Sequence, residues 1–125
     1  MPVVGLGIDV CSIERIQRIL DGPRGEKFVQ RVYTEAERAL CSSRQDAAAA
    51  YAARFAAKEA LLKALGAPSG IRWREIEVVR ASGVPKLRLS GAAGEELRRR
   101  GALAFLSLTH DAGVAAATVI LEGGQ

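Results

Sequence analysis

Five charged side chains sit where charge is hard to accommodate. Asp9 closes an apolar run from Val3 to Val10, in which Val4, Leu6, Ile8 and Val10 share one face of a strand and Gly5, Gly7 and Asp9 the other. Two glycines beside an acid leave room for the close approach of a ligand or another backbone. The other four charges, Arg54, Lys58, Glu59 and Lys63, lie in Arg54-Phe55-Ala56-Ala57-Lys58-Glu59-Ala60-Leu61-Leu62-Lys63-Ala64-Leu65. Wound at about 100° per residue, that stretch shows a smooth face of Ala53, Ala56, Ala57, Ala60 and Ala64 and a bulky stripe of Tyr51, Phe55 and Leu62. Arg54 and Lys58 flank the stripe on one edge, Glu59 and Lys63 on the other. A helix apolar on most sides is normally buried, and buried charge must be paired or bound to something. The helix therefore hides two ion pairs or presents charge to an ionic ligand.

Each residue has a plain structural reading beside its chemical one. Asp9 can serve as a turn or capping acid next to Ser12, and Glu59 can pair with Lys63 at i,i+4. The chemical reading joins them. Magnesium is typically held by one or two carboxylates together with waters and substrate phosphates. Asp9 and Glu59 supply such carboxylates, and Arg54, Lys58 and Lys63 supply cations for the remaining phosphate charge. That set suits phosphoryl transfer, where positioning and charge neutralisation dominate. No G-x-x-x-x-G-K-[ST] loop is present, and Gly5-Leu6-Gly7 fails at the third glycine of a dinucleotide fingerprint. His110 is the only histidine; it follows Leu106 and Leu108 on a strand, in a place open to a structural or a functional role. Cys11 shares the Asp9 face and reads as a small buried side chain rather than a nucleophile.

These residues need elements to hold them. Val3 to Val10 is a strand, and Ser12 caps a helix from Ile13 to about Leu20 with Ile13, Ile16 and Leu20 inward and Arg15 and Arg18 outward. Asp21 to Gly25 is a loop, followed by a helical turn over Lys27 to Val32. Thr34 and Glu37 have capping-box spacing, so a helix starts near Glu35. Ser42-Ser43 separates it from the Ala-rich helix, Gln45 to Leu65, which Gly66 and Pro68 end. Trp73 to Ala81 and Lys86 to Leu89 are strands joined by Ser82-Gly83-Val84-Pro85. Gly91 to Arg100 suits a polar helix, whose Arg98, Arg99 and Arg100 read as a solvated end. Ala102 to Thr109 and Val114 to Leu121 form a final hairpin. Grouped strands with segregated helices predict an α+β fold, a mostly antiparallel sheet against a long central helix.

Composition bounds the partners. A chain of 125 residues is the size of one domain, and 49% hydrophobic content supports a core of Val, Ile, Leu and Ala. No apolar run reaches membrane-spanning length, and Met1-Pro2-Val3-Val4 lacks the features of a secretion signal. Cys11 and Cys41 are too few for a disulfide framework or a zinc site, which predicts free thiols in a reducing cytoplasm. The net charge of +4 is uneven: residues 41–100 carry twelve basic against six acidic side chains, whereas residues 1–40 balance at six each. An anionic partner follows. Nucleic acid is disfavoured, because no recognition motif is present and acids in the site would repel phosphate without a metal.

Gly7-Ile8-Asp9-Val10, the long Arg54–Leu65 motif and Ser107-Leu108-Thr109-His110, in that order, resemble holo-acyl-carrier-protein synthases, the small bacterial class of 4′-phosphopantetheinyl transferases. The similarity extends to Phe28, Arg31, Thr34, Glu37 and the Gly83-x-Pro85 turn, nearly the whole chain; the central motif is its most specific part. The resemblance implies transfer of 4′-phosphopantetheine from coenzyme A to a serine of apo-acyl carrier protein of fatty-acid (lipid biosynthesis) or polyketide type, with magnesium as cofactor and adenosine 3′,5′-bisphosphate released. It implies that Asp9 and Glu59 hold the metal and that Lys63 lies near the pyrophosphate. Arg54, Gly83, Pro85, Thr109 and His110 then match the region of the nucleotide end. Arg15, with Arg18 beside it, matches the basic helix face that meets the acidic carrier. It also implies a cytoplasmic homotrimer with each active site between neighbouring subunits and no membrane partner. The base that takes the serine proton stays open among Glu59, Asp9 and a metal-bound water. Asp111, directly after His110, departs from the common pattern. Two other readings are a coenzyme-A-binding module without turnover and a basic nucleic-acid-binding domain, which would bind DNA or RNA with strong salt dependence.

Overall fold

Glycine on one face of a strand and alanine on one face of a helix let two backbones approach, and this contact organises the molecule. A computed structural model describes residues 2–81 and 83–123. In chain order its elements are β1 (Val3–Ser12), α1 (Ile13–Asp21), α2 (Gly25–Val32), α3 (Glu35–Ser42), α4 (Ala47–Ala64), β2 (Ile76–Ala81), β3 (Val84–Leu89), α5 (Gly91–Arg99), β4 (Ala102–Asp111) and β5 (Val114–Gly123). The α+β expectation holds. One antiparallel sheet runs β1-β5-β4 and a second is the β2-β3 hairpin.

The helix ends follow local chemistry. Ser12 Oγ accepts the Arg15 N–H at 3.1 Å, and Thr34 and Glu37 form the full capping box at the start of α3. Past α4, the Gly66 N–H bonds Lys63 O at 3.0 Å and the Ala67 N–H bonds Leu62 O at 2.7 Å. These paired bonds close the helix at Gly66, whose φ is +81°. Arg100 adds a bond to Leu65 O at 2.8 Å. Arg100 thus caps α4 and is not simply part of a solvated end; Arg98 and Arg99 pair with Glu95 and Glu96. The β4-β5 hairpin turns through Ala112 and Gly113, at φ +54° and +83°.

Several ends shift by one or two residues, and two segments change type. Trp73–Glu75 is a turn of 3-10 helix rather than strand. The Glu75 carboxylate accepts N–H groups from Arg72 and from Ala93 of α5, bending the chain there, while Trp73 stacks on Phe55 at 5.2 Å between ring centroids. Val84 and Pro85 belong to β3 rather than the turn, with Ala81 opposite Val84. Ser82, expected in that turn, lies outside the described residues.

Helix α4 lies across β1 and β5. Its Ala52, Ala56, Ala57, Ala60 and Leu61 are fully buried, as are Ala115, Val119 and Leu121 of β5. A Cβ placed on Gly7 would stand 1.9 Å from Ala60 O and 2.8 Å from Ala64 N; on Gly5 it would stand 2.6 Å from Ala64 O. The glycine face of β1 is thus the inner one. The apolar face points outward: Leu6, Ile8 and Val10 are 63%, 62% and 62% exposed. Leu103 and Phe105 of β4 are also exposed.

Gly7→Ala must push α4 off the strand, because every atom its Cβ meets is backbone. Urea unfolding should show a loss of about 1–3 kcal/mol; stability equal to the parental protein would contradict this contact.

Candidate active site

The four charges of α4 part into three environments. Arg54 and Lys63 are nine residues apart and therefore about 180° apart around the helix.

On the β1 flank, Lys63 Nζ donates to Asp9 Oδ1 and to Ile8 O, each at 3.0 Å. Lys63 is thus bridged to the strand rather than to Glu59. Glu59 stands beside this pair, half-buried and in no ion pair among the described residues. Burial, and then the negative charge of Asp9, push its carboxyl above the ordinary carboxylate value, against the opposing pull of Lys63 and Arg15. The same Arg15 guanidinium acts on Cys11, whose thiol burial pushes up, so the start of α1 borders this flank. Asp9 and Glu59 are two carboxylates near each other, one with its proton affinity raised by its neighbour. That donor set suits a hard divalent cation, and the described residues add no third acidic, histidine or cysteine ligand. An ion such as magnesium, which keeps waters and takes phosphate oxygens, fits two carboxylates of this kind.

On the opposite flank, Arg54 is 4% exposed. Its Nη1 donates to Ala50 O at 3.2 Å, and its buried Nε has no partner. Arg54 lines a cleft of about 150 Å³ with Arg44, Asp46, Arg80, Thr109 and His110, and Arg44 is paired there with Asp46 at 2.9 Å. Gly83 is tied to its edge, since Arg80 donates to Gly83 O at 3.3 Å. The cleft thus brings Arg54, Thr109 and His110 together, with Gly83 outside its lining but bonded to Arg80. Pro85 does not join them; with Val84, Leu97, Leu103 and Phe105 it lines a separate apolar groove. Asp111 pairs with Val114 at the hairpin end, outside the lining of the Arg54 cleft.

Lys58 corrects an expectation. It faces neither flank. Fully buried, its ammonium donates to Glu37 Oε1 at 2.8 Å, to Trp73 O at 3.3 Å and to Ile76 O. A lysine this enclosed and this fully partnered has no surface to offer an anionic ligand. Burial lowers its proton affinity, and Glu37 works to restore it.

Arg15 and Arg18 lie outward on α1. Arg18 pairs with Glu14 at 3.2 Å and borders a groove of about 640 Å³ with Arg24, Lys27, Phe28 and Arg31. Sequence reasoning missed Arg44, Arg80 and Glu37. The two arginines carry no motif. The capping-box spacing marked Glu37, but only its backbone-facing role was readable there.

Both cysteines are buried and unpaired; burial raises the Cys41 thiol to about 11. No helix among the described residues is long and apolar enough to cross a membrane.

Comparison with known proteins places the chain in a family. The 4′-phosphopantetheinyl transferase superfamily model matches residues 5–118. A holo-[acyl-carrier-protein] synthase of Myxococcus xanthus is 69% identical over 122 residues, covering 98% of this chain and 97% of that protein. Among solved structures, the holo-(acyl-carrier-protein) synthase of Bacillus anthracis in complex with CoA (3′,5′-ADP) superposes with a TM-score of 0.80 at 34% identity, covering 98% of both chains. The Helicobacter pylori holo-[acyl-carrier-protein] synthase in complex with coenzyme A gives 0.80 at 30% identity, covering 94% of this chain and 99% of that one. The chain belongs to the 4′-phosphopantetheinyl transferase superfamily, among its holo-[acyl-carrier-protein] synthases.

Proposed function

We propose that this protein moves 4′-phosphopantetheine from coenzyme A to a serine of an apo-acyl carrier protein, with magnesium, releasing adenosine 3′,5′-bisphosphate. Residues 1–125 act as one transferase domain in the cytoplasm, on a carrier that serves fatty acid and lipid biosynthesis. The observation that carries the reading is the division of charge on α4. A carboxylate pair with a lysine stands on one flank; an arginine cleft with an unpartnered buried Nε stands on the other. A dianionic pyrophosphate and a separate nucleotide phosphate need those two environments.

Asp9 and Glu59 would hold the magnesium, which when bound withdraws charge from the pyrophosphate oxygens. Lys63, held by Ile8 O and Asp9, presents its ammonium to the same oxygens. The serine Oγ attacks the phosphorus that bears the pantetheine. A new P–O bond forms as the bond to the bisphosphate oxygen breaks, and the bonding pair leaves with adenosine 3′,5′-bisphosphate. The serine proton would pass to Glu59, to Asp9 or to a water held by the metal. Arg54, with Arg44, Arg80, Thr109 and His110, receives the nucleotide end. Arg15 and Arg18 meet the acidic carrier, an encounter that salt weakens.

The two flanks lie along opposite edges of a three-stranded sheet, β1 and β4, about 10 Å apart across β5. Helix α4 stands between them. This separation supports an active site completed between subunits of a homotrimer, with the exposed apolar face of β1 and β4 covered by neighbouring copies.

Incubation with coenzyme A, magnesium and apo-carrier should add one phosphopantetheine to the carrier by intact mass, and chelation should abolish the shift. No shift with any acidic carrier tested would overturn the reading. Asp9→Ala or Glu59→Ala should lower turnover on the order of 100-fold or more while the circular dichroism stays parental. Mixing Asp9→Ala chains with Arg54→Ala chains should restore part of the activity that neither has alone. An inactive mixture, in which exchange of subunits is verified, would exclude sites shared between copies.

Glu59 also predicts a pH effect. Folding raises its proton affinity, so its ionised form opposes folding at neutral pH, and this opposition vanishes below the unfolded carboxyl's value. Without metal, Glu59→Gln should melt at a higher temperature than the parental protein at neutral pH, with the difference closing as the pH falls into the acid range. A variant that melts lower at neutral pH would contradict the assignment.

A further inference from the structure

We infer that the buried Glu37–Lys58 pair is a positioning device for Glu59, fixing the roll of α4 about its axis so that this carboxylate stays opposite Asp9. The inference rests on the metal reading above.

The contact between α4 and the sheet is smooth. Along one stripe, Gly5 and Gly7 of β1 meet the backbone of Ala60 and Ala64 of α4, and Ala115 and Ala117 of β5 share the buried core with Ala56 and Ala57. This stripe permits close approach but offers no interlocking side chains of its own, which leaves Leu61, Val119 and Leu121 beside it to resist rotation by packing that has no direction. Rotation matters to the site. At about 5 Å from the helix axis, a roll of about 10° displaces a side-chain atom by about 1 Å. Magnesium demands oxygen ligands at about 2.0–2.1 Å in near-ideal geometry, so a displacement of that size is large.

Lys58 is the residue before Glu59, and its anchors all lie on other elements. Glu37 belongs to α3, Trp73 to the 3-10 turn and Ile76 to β2. Glu37 is itself held by the Thr34 N–H at 2.9 Å and the Val78 N–H at 2.8 Å. The tie is therefore directional, dry and rigid at both ends. A buried ion pair contributes little net stability relative to apolar packing, and fixing register is its best-attested use. The pair supplies the orientation that the alanine face cannot.

The test uses the full chain with Mn²⁺ as a spectroscopic stand-in for magnesium. Glu37→Gln/Lys58→Met removes both charges together, so neither is left buried alone, and the amide still accepts the Val78 N–H. Melting temperature, Mn²⁺ affinity by electron paramagnetic resonance, and binding of adenosine 3′,5′-bisphosphate without metal are read together. Mn²⁺ affinity should fall about tenfold or more, while the nucleotide affinity and the fold stay parental. Parental Mn²⁺ affinity in the folded double variant would overturn the inference, as would an equal loss of both affinities, which signals general loosening. If the double variant does not fold, Glu37→Gln alone is read by the same measurements; weakened Mn²⁺ binding supports the positioning role and parental binding overturns it. Asp9→Ala serves as the control. If it binds Mn²⁺ as the parental protein does, the metal reading has failed, and the positioning role falls with it.

Discussion

Where Gly7 lies against Ala60, no side chain separates strand from helix. A Cβ there would stand 1.9 Å from a carbonyl oxygen, so neither glycine nor alanine can be enlarged without moving an element. This contact sets the depth at which α4 sits on β1. Asp9 follows two residues after Gly7 on the same face, and Glu59 and Lys63 lie together to one side of Ala60 on the helix. The approach that excludes side chains at Gly7 brings charged ones together at Asp9. The geometry of the β1 flank is thus a consequence of backbone packing, and the side chains there inherit their distances from it.

Charge on so apolar a helix is tolerated in three ways. Lys58 is fully enclosed and fully bonded, the one arrangement in which a buried ammonium is not prohibitive. Lys63 reaches out, half-exposed, to a carboxylate on the strand. Glu59 and Arg54 are left incomplete: one with a raised proton affinity, the other with a buried Nε that bonds to nothing. Groups whose hydrogen bonding is finished hold the fold, and groups left unfinished have capacity for a ligand. That distinction separates Lys58 from its neighbours more sharply than its position in the motif does.

Patterns that repeat at short range were legible in the sequence. The capping box of Thr34 and Glu37, the Gly66 stop and the strand alternation of β1 all rest on neighbours within a few residues, and all appear in the structure. The pairing of Lys58 was not legible, because Glu37 is 21 residues away and a different helix carries it. Its i,i+4 counterpart misled in the same way: Glu59 and Lys63 have favourable spacing, yet Lys63 bonds to Asp9, 54 residues distant. Alternation along Val3 to Val10 identified two faces but not which was inner. The usual preference buries the apolar face, whereas here backbone approach claims the glycine face and turns Leu6, Ile8 and Val10 outward. The cleft around Arg54 was readable only in part, since Arg44 and Arg80 join it through tertiary packing and belong to no local pattern.

That outward apolar face bears on assembly. Exposed large side chains on β1 and β4 form a surface of the kind that marks an interface. The carboxylate flank and the arginine cleft lie along opposite edges of the same sheet, so they face away from each other. In the shared-site arrangement proposed above, the β1 flank of one copy meets the β4 flank of the next, and unlike surfaces are joined. A head-to-tail contact of this kind leaves one unmatched flank at each end of any open chain, and closure into a ring removes both. A ring of three is the smallest in which each copy gives one flank to one neighbour and takes the other from a second. The sheet's outer face would then lie toward the axis, where the other copies exclude water from it. The glycine face of β1 serves packing within the chain, and in that arrangement its apolar face would serve packing between chains.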